Sequence, residues 1–195
     1  MKLASILLAT LTLCGGVLLG DELESVRKAP ELTFNVPGKG QENLSKYLGK
    51  VVALEFIFTT CPHCQAASRM MTKLQEEYGK RGLQVLAVAV NQNADLLVEN
   101  FAKDYGVNFP VAWMTSDGMT SFMGFQPGRY VVPQLVLIDR KGRIHYQTPA
   151  TEDSKWDKLM KEETIRQHIE QLLAAGPASK SDRLSSRLQP EPKSR

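Results

Sequence analysis

Cysteine is nearly absent from this chain: of the three among 195 residues, Cys14 lies inside an apolar leader, so the body has only Cys61 and Cys64. Two cysteines three apart close almost no loop and do not staple a fold of this size. A structural zinc site is not expected either, because the body adds only His63, His145 and His168 to that pair. An excess of one charge is also lacking. Lys2 stands in the leader and Lys180, Arg183, Arg187, Lys193 and Arg195 in the tail, with the acids Asp182 and Glu191, which leaves the body 18 of the 24 bases and 19 of the 21 acids. A body so balanced offers no clustered basic face for phosphates, so nucleic acid is excluded as a partner. There is no internal repeat. At 43% hydrophobic and 23% charged residues the composition is that of a globular protein, which excludes a disordered chain, a collagen and a multi-span membrane protein.

The one long uncharged run is Leu3 to Gly20, between Lys2 and the acids Asp21, Glu22 and Glu24. Residues 1–20 therefore read as a signal peptide or signal anchor. Cys14 and Gly16 are small enough to flank a cleavage site. Uncleaved, the stretch just spans a bilayer at about 1.5 Å per residue, with Lys2 inside. Leu11-Thr12-Leu13-Cys14 resembles a lipoprotein box except at Leu13. In all three cases the body is expected outside the cytoplasm, in the periplasm or on the outer face of the membrane. Residues 177–195, rich in Ser, Pro, Lys and Arg, have little to bury and read as a disordered basic tail without assigned function.

What remains is one domain of roughly 155 residues. Val51 to Phe58 is an apolar run broken only by Glu55, as expected of a central strand covered on both faces. Thr59-Thr60-Cys61-Pro62 reads as a helix start, with a threonine as cap and Pro62 in the first turn. The helix continues through Ala66, Ala67, Met70, Met71, Leu74 and Tyr78 to Gly82. Leu83 to Val90 is a second buried strand. Ala94 to Tyr105 is a helix, Val111 to Trp113 a short strand, and Asp117 caps a short helix toward Gly124. Pro133 precedes the strand Leu135 to Ile138, and Asp139-Arg140-Lys141-Gly142 turns the chain into Arg143 to Tyr146, a hairpin expected to close the sheet. Ile165, Ile169, Leu172 and Leu173 form one face of a last helix, on which His168 is expected to be solvated. Residues 21 to 50 read as a loop or irregular hairpin. The alternation of strands and helices makes the fold class α/β, a central mixed sheet flanked by helices.

A strand feeding a helix whose first turn holds Cys-Pro-His-Cys has a chemical consequence. Free N–H groups and the positive end of the helix stabilise a thiolate, so Cys61 is expected to ionise more readily than an ordinary cysteine. Cys61 at the helix start attacks a substrate disulfide, and Cys64, one turn in and shielded, resolves the mixed disulfide. His63 is placed to donate to the Cys61 thiolate or to favour it electrostatically. Glu55 points the same way as Ile57, toward the layer covered by the start of the cysteine helix, and is read as the base for Cys64. The alternative for Glu55 is an open sheet face or a lysine partner. Thr60 and Val132, the residues before the first cysteine and before Pro133, are assigned to substrate contact. A cis bond at Pro133 is expected from the topology.

Phe58-Thr59-Thr60-Cys61-Pro62-His63-Cys64, Val131-Val132-Pro133 and Leu137-Ile138-Asp139-Arg140-Lys141-Gly142 together resemble the thioredoxin superfamily. Within it the chain, over residues 30–175, is similar to the exported TlpA/ResA type of thiol-disulfide oxidoreductase. The resemblance implies a single thioredoxin-like domain with Cys61 and Cys64 as redox pair, Pro133 as the cis-proline beside them, and residues 91 to 124 as an inserted helix and strand before it. It implies no bound cofactor. Expected partners are proteins with cysteines or disulfides, such as apocytochromes, and a membrane electron donor or acceptor; the chain itself is expected to be a monomer. Glu55 matches thioredoxin's buried acid. Thr60 stands where the family usually has tryptophan, and Cys-Pro-His-Cys is the motif associated with the oxidase DsbA.

Three other readings compete with this one. A DsbA-like oxidase uses the same residues with electrons flowing the other way. A peroxiredoxin signature needs Thr and Pro where Phe58 and Leu54 stand. A copper-delivery protein of the SCO type shares the fold, but has three residues between its cysteines and a histidine near Val131-Val132-Pro133. Here His145 lies beyond Pro133 on the hairpin and reads as a surface residue. Met114, Met119 and Met123 read as packing under the inserted helix.

Overall fold

Apolar side chains that alternate along a strand serve both faces of a sheet only when each face is covered, and that condition organises the whole molecule. The computed structural model describes residues 26–176, so the leader with Cys14 and the tail lie outside the described residues. In chain order the strands and helices are β1 (Arg27–Lys28), β2 (Thr33–Val36), β3 (Gly40–Asn43), β4 (Val51–Ile57), α1 (Pro62–Tyr78), β5 (Leu83–Ala89), α2 (Ala94–Asp104), β6 (Val111–Trp113), α3 (Ser116–Met123), β7 (Gln134–Ile138), β8 (Arg143–Gln147), α4 (Ser154–Leu159) and α5 (Glu162–Ala174). The eight strands form one mixed sheet in the order β1-β8-β7-β4-β5-β6-β2-β3. β4 pairs parallel with β5 and antiparallel with β7, so the strand leading to the cysteines is interior.

Val51, Ala53 and Ile57 of β4 join Val85, Ala87 and Ala89 of β5 under α1, α2 and α5. The alternate residues Val52, Leu54 and Phe56 face the other way, against Phe34, Tyr47 and the α3 residues Met119, Phe122 and Met123. Met119 and Met123 thus fill the core beneath this sheet face, as packing residues do. The segment before β4 is more than a lead-in. β2 and β3 form a hairpin whose Asn35 pairs with Trp113 of β6, and β1 pairs with β8 at the opposite edge. The β7–β8 hairpin therefore does not close the sheet. β1 is only two residues long, too short to leave a pattern in the sequence.

Other local expectations are corrected. Cys61, not a threonine, holds the N-cap of α1, without a side-chain cap bond. The Thr59 N–H and hydroxyl instead donate to Asn91 Oδ1, at 2.9 and 3.3 Å. Thr115, not Asp117, caps α3 by accepting from the Gly118 N–H. Ala66 is exposed, because the buried stripe of α1 runs through Cys64, Ala67, Ser68, Met71, Leu74 and Tyr78. His168 is buried, not solvated, because its ring stacks on Tyr146 of β8 with centroids 3.5 Å apart. α4 was not expected; Asp153 caps it by accepting from the N–H groups of Lys155 and Trp156. No helix among the described residues is long and apolar enough to cross a membrane.

Candidate active site

The site forms where β4 ends and α1 begins. The Cys61 N–H donates to the Phe58 carbonyl at 3.1 Å and its own carbonyl accepts from the Gln65 N–H at 3.0 Å, so the first cysteine is held on the last bend before the helix. Pro62 occupies the first helical position, where a missing N–H costs nothing. Cys61 is half-buried, while Cys64 one turn later is 0% exposed. Both are free thiols.

Opposite them lies the turn before β7. The Val132–Pro133 bond is cis, and the Val132 carbonyl accepts from Cys61 Sγ at 3.9 Å. That turn is clamped from behind. Gln134, itself 0% exposed, donates from Nε2 to the carbonyls of Val131 at 2.8 Å and Pro149 at 3.0 Å. Thr148 in turn donates to Gln134 Oε1. Trp156 of α4 donates from Nε1 to the Pro133 carbonyl at 3.3 Å. Between α1 and α4 runs an open groove of about 360 Å³, with His63, Ala67 and Met70 on one side, Trp156 and Met160 on the other, and Pro133 between them.

Inside, burial dominates the electrostatics. The Cys64 thiol is pushed well above the ordinary cysteine range, chiefly by burial, and the neighbouring Cys61 and the charge of Glu55 add to this; the Phe58 N–H donating to its sulfur at 3.4 Å opposes it. Glu55 is 1% exposed and pushed up to about 8, again by burial, against the hydrogen bond from Ser68. Ser68 Oγ donates to Glu55 Oε1 at 2.8 Å. Glu55 Oε2 is a buried oxygen without a partner among the described residues. Glu55 shares the sheet face of Val51, Ala53 and Ile57, which is the face packed against Cys64.

The structure thus brings together Cys61, Cys64, Pro62, Pro133, Val132 and Glu55. Thr60 is exposed next to Cys61. His63 is exposed in the first turn, lines the groove, and makes no hydrogen bond among the described residues, so no direct bond to the Cys61 sulfur is formed. His145 is tied to Asp139 at 2.9 Å, at the far end of β7 from Pro133. No group of three His, Cys, Asp or Glu side chains among the described residues could hold a metal ion. Sequence reasoning missed Ser68, Asn91, Gln134, Thr148 and Trp156. Ser68 alone left a usable local signal, since it lies four residues after Cys64 and so on the same helix face.

Known proteins match this arrangement. The family profile described as Redoxin matches residues 25–165. This chain belongs to the redoxin family. The redoxin is 31% identical over 144 residues to the thiol-disulfide oxidoreductase ResA of Geobacillus thermodenitrificans, covering 74% of this chain and 75% of that protein. To ResA of Geobacillus kaustophilus it is 33% identical over 135 residues, 69% and 70% of the two chains. Among solved structures, a Chlorobium tepidum protein designated a DsbE-type thiol:disulfide interchange protein superposes with a TM-score of 0.62 at 26% identity, covering 77% of this chain and 99% of that one. The redoxin is therefore a TlpA/ResA-like member of the thioredoxin superfamily and an enzyme, a thiol-disulfide oxidoreductase.

Proposed function

We propose that this redoxin works outside the cytoplasm, as a monomer, reducing disulfides in protein substrates of the kind that cytochrome c maturation requires, and is itself recharged by a dithiol donor in the membrane. The observation that carries the chemistry is the difference in depth across one helical turn: Cys61 half-buried beside the Val132 carbonyl, Cys64 fully buried on the face that carries Glu55. Cys61 attacks one sulfur of the substrate disulfide; the Cys61–substrate bond forms, the substrate S–S bond breaks, and the released thiolate takes a proton from water. Cys64 then gives its proton to Glu55 and attacks Cys61 Sγ. The second substrate sulfur leaves as a thiolate and takes a proton from water, the Cys61–Cys64 disulfide remains, and two electrons have passed to the substrate. A buried thiol needs a local acceptor for its proton, and Glu55 is positioned to be that acceptor.

The reductive direction is supported at Cys61. The hydrogen-bond partner of its sulfur is a carbonyl, an acceptor, which offers nothing to the stable thiolate that makes a strong oxidase. Export is supported by the uncharged run Leu3 to Gly20 after Lys2. Equilibration of the purified protein with a dithiol redox buffer tests the direction. A reduction potential close to the about −270 mV of thioredoxin is expected, and one near the about −120 mV of DsbA overturns the reading in favour of an oxidase.

A further inference from the structure

A hydroxyl in the buried stripe of α1 needs a reason. Ser68 is 0% exposed, at a position where alanine favours a helix more and leaves no polar group to satisfy. Its hydroxyl donates the 2.8 Å bond to Glu55 Oε1. Ser68 and Cys64 are four residues apart, so they stand one above the other on the face of α1 that covers β4. Glu55 meets both from below: it is bonded to Ser68, and its charge is felt at Cys64.

We infer that Ser68 is a positioning residue of the thiol chemistry, holding Oε1 of Glu55 so that Oε2 is the oxygen left to take the Cys64 proton. This rests on the proton-acceptor role of Glu55 proposed above and goes further, because it says which oxygen reacts and what keeps the acid ready. A serine hydroxyl has a single proton to donate. With that proton on Oε1, the oxygen left without a partner is Oε2. The same bond favours the ionised carboxylate over the neutral acid, since donation to a charged acceptor is stronger than to a neutral one. Among the described residues no cation shares this task. The strand neighbours of Glu55 are Ala87 of β5 and Leu135 of β7. α5, packed over the same core, buries Ile165 and Ile169 there, and its buried ionisable residue, His168, lies against Tyr146 of β8. From α1 the ionisable groups near Glu55 are Cys64 and, beyond it, Cys61. Ser68 is thus the partner that keeps Glu55 able to accept a proton.

The test follows the reduced full-length protein reacting with a chromogenic aromatic disulfide by rapid mixing across pH. The first aromatic thiol released reports attack by Cys61, the second reports resolution by Cys64. Ser68→Ala is expected to leave the first phase unchanged and to raise the pH midpoint of the second by about one to two pH units, slowing it about tenfold or more at neutral pH. Ser68→Thr, which keeps the hydroxyl, is expected to restore the original midpoint. In a Glu55→Gln background, Ser68→Ala is expected to add nothing. A second-phase midpoint unmoved by Ser68→Ala, while Glu55→Gln abolishes it, overturns the role of Ser68 and leaves that of Glu55 standing. A second phase unchanged in Glu55→Gln overturns both. Release of a single thiol from the unmodified protein removes Cys64 as the resolving group, and the Ser68 inference with it.

Discussion

Replacing Glu55 by glutamine should make the redoxin gain stability, relative to the original protein, as pH rises from acid to neutral. Burial lets Glu55 ionise only near pH 8 in the fold, against 4.5 for an unperturbed glutamate. The gap between the two, at about 1.4 kcal/mol per pH unit, corresponds to about 5 kcal/mol. The folded chain keeps this proton longer than the unfolded chain does. The contribution of Glu55 is therefore most favourable below pH 4.5, declines as pH rises, and is fully lost above about pH 8; by pH 7 the loss is about 3 kcal/mol. Glutamine at position 55 cannot ionise, and Ser68 still finds an acceptor there. Its amide N–H groups meet the same empty surroundings as Oε2, a cost of about 1–3 kcal/mol that does not depend on pH. The quantity to read is therefore the pH dependence of the difference between the two proteins. Urea unfolding of both in reducing buffer, at several pH values from 4.5 to 8, should show Glu55→Gln gaining about 3 kcal/mol relative to the original between pH 4.5 and 7. A difference constant to within about 0.5 kcal/mol would refute the burial argument and, with it, the reason for regarding Glu55 as an acid kept for chemistry.

Three further outcomes follow from the geometry. Because Cys61 is half-buried and Cys64 wholly buried, an alkylating reagent applied to the reduced protein at neutral pH should label Cys61 much faster than Cys64; equal labelling by mass spectrometry removes Cys61 as the nucleophile. Replacing His63 by alanine should make the reduction potential more negative by some tens of millivolts, about 30 mV for each tenfold loss of preference for the reduced form. His63 lies exposed in the first turn of α1, and a potential that does not move shows it to be a bystander. Gln134→Leu should cost roughly 1–3 kcal/mol in urea unfolding, because it removes the donor to the partly buried carbonyls of Val131 and Pro149 and one acceptor of the Thr148 hydroxyl, which keeps its bonds to Leu135; an unchanged midpoint would show that the turn before β7 does not depend on this clamp.

The parts of this molecule that could be read from the chain are those whose cause lies within a few residues. Val51 to Phe58 and Leu83 to Val90 are apolar along their whole length because neighbours cover both faces, and such a run is visible without knowing what the neighbours are. Cys61-Pro62-His63-Cys64 shows its chemistry by spacing alone. Glu55 shows itself in the same way, as one acid among seven apolar residues of an eight-residue run. The parts that could not be read depend on partners far along the chain. β1 is a strand only because β8, more than a hundred residues later, pairs with it. His168 looks like a surface residue until Tyr146 of β8 is placed against it. Ser68, Gln134 and Thr148 are polar, and a polar residue in a helix or at a strand end ordinarily reads as solvated. Each is buried against a partner distant in the chain or across the helix–sheet interface: Glu55 for Ser68, the Val131 and Pro149 carbonyls for Gln134, and Gln134 for Thr148. The residues that react are therefore local in sequence, while most of those that hold them in place are not. A reader of the sequence finds Cys61, Cys64 and Glu55, but of their supports finds only Ser68, and only by asking what stands one helical turn beyond the second cysteine.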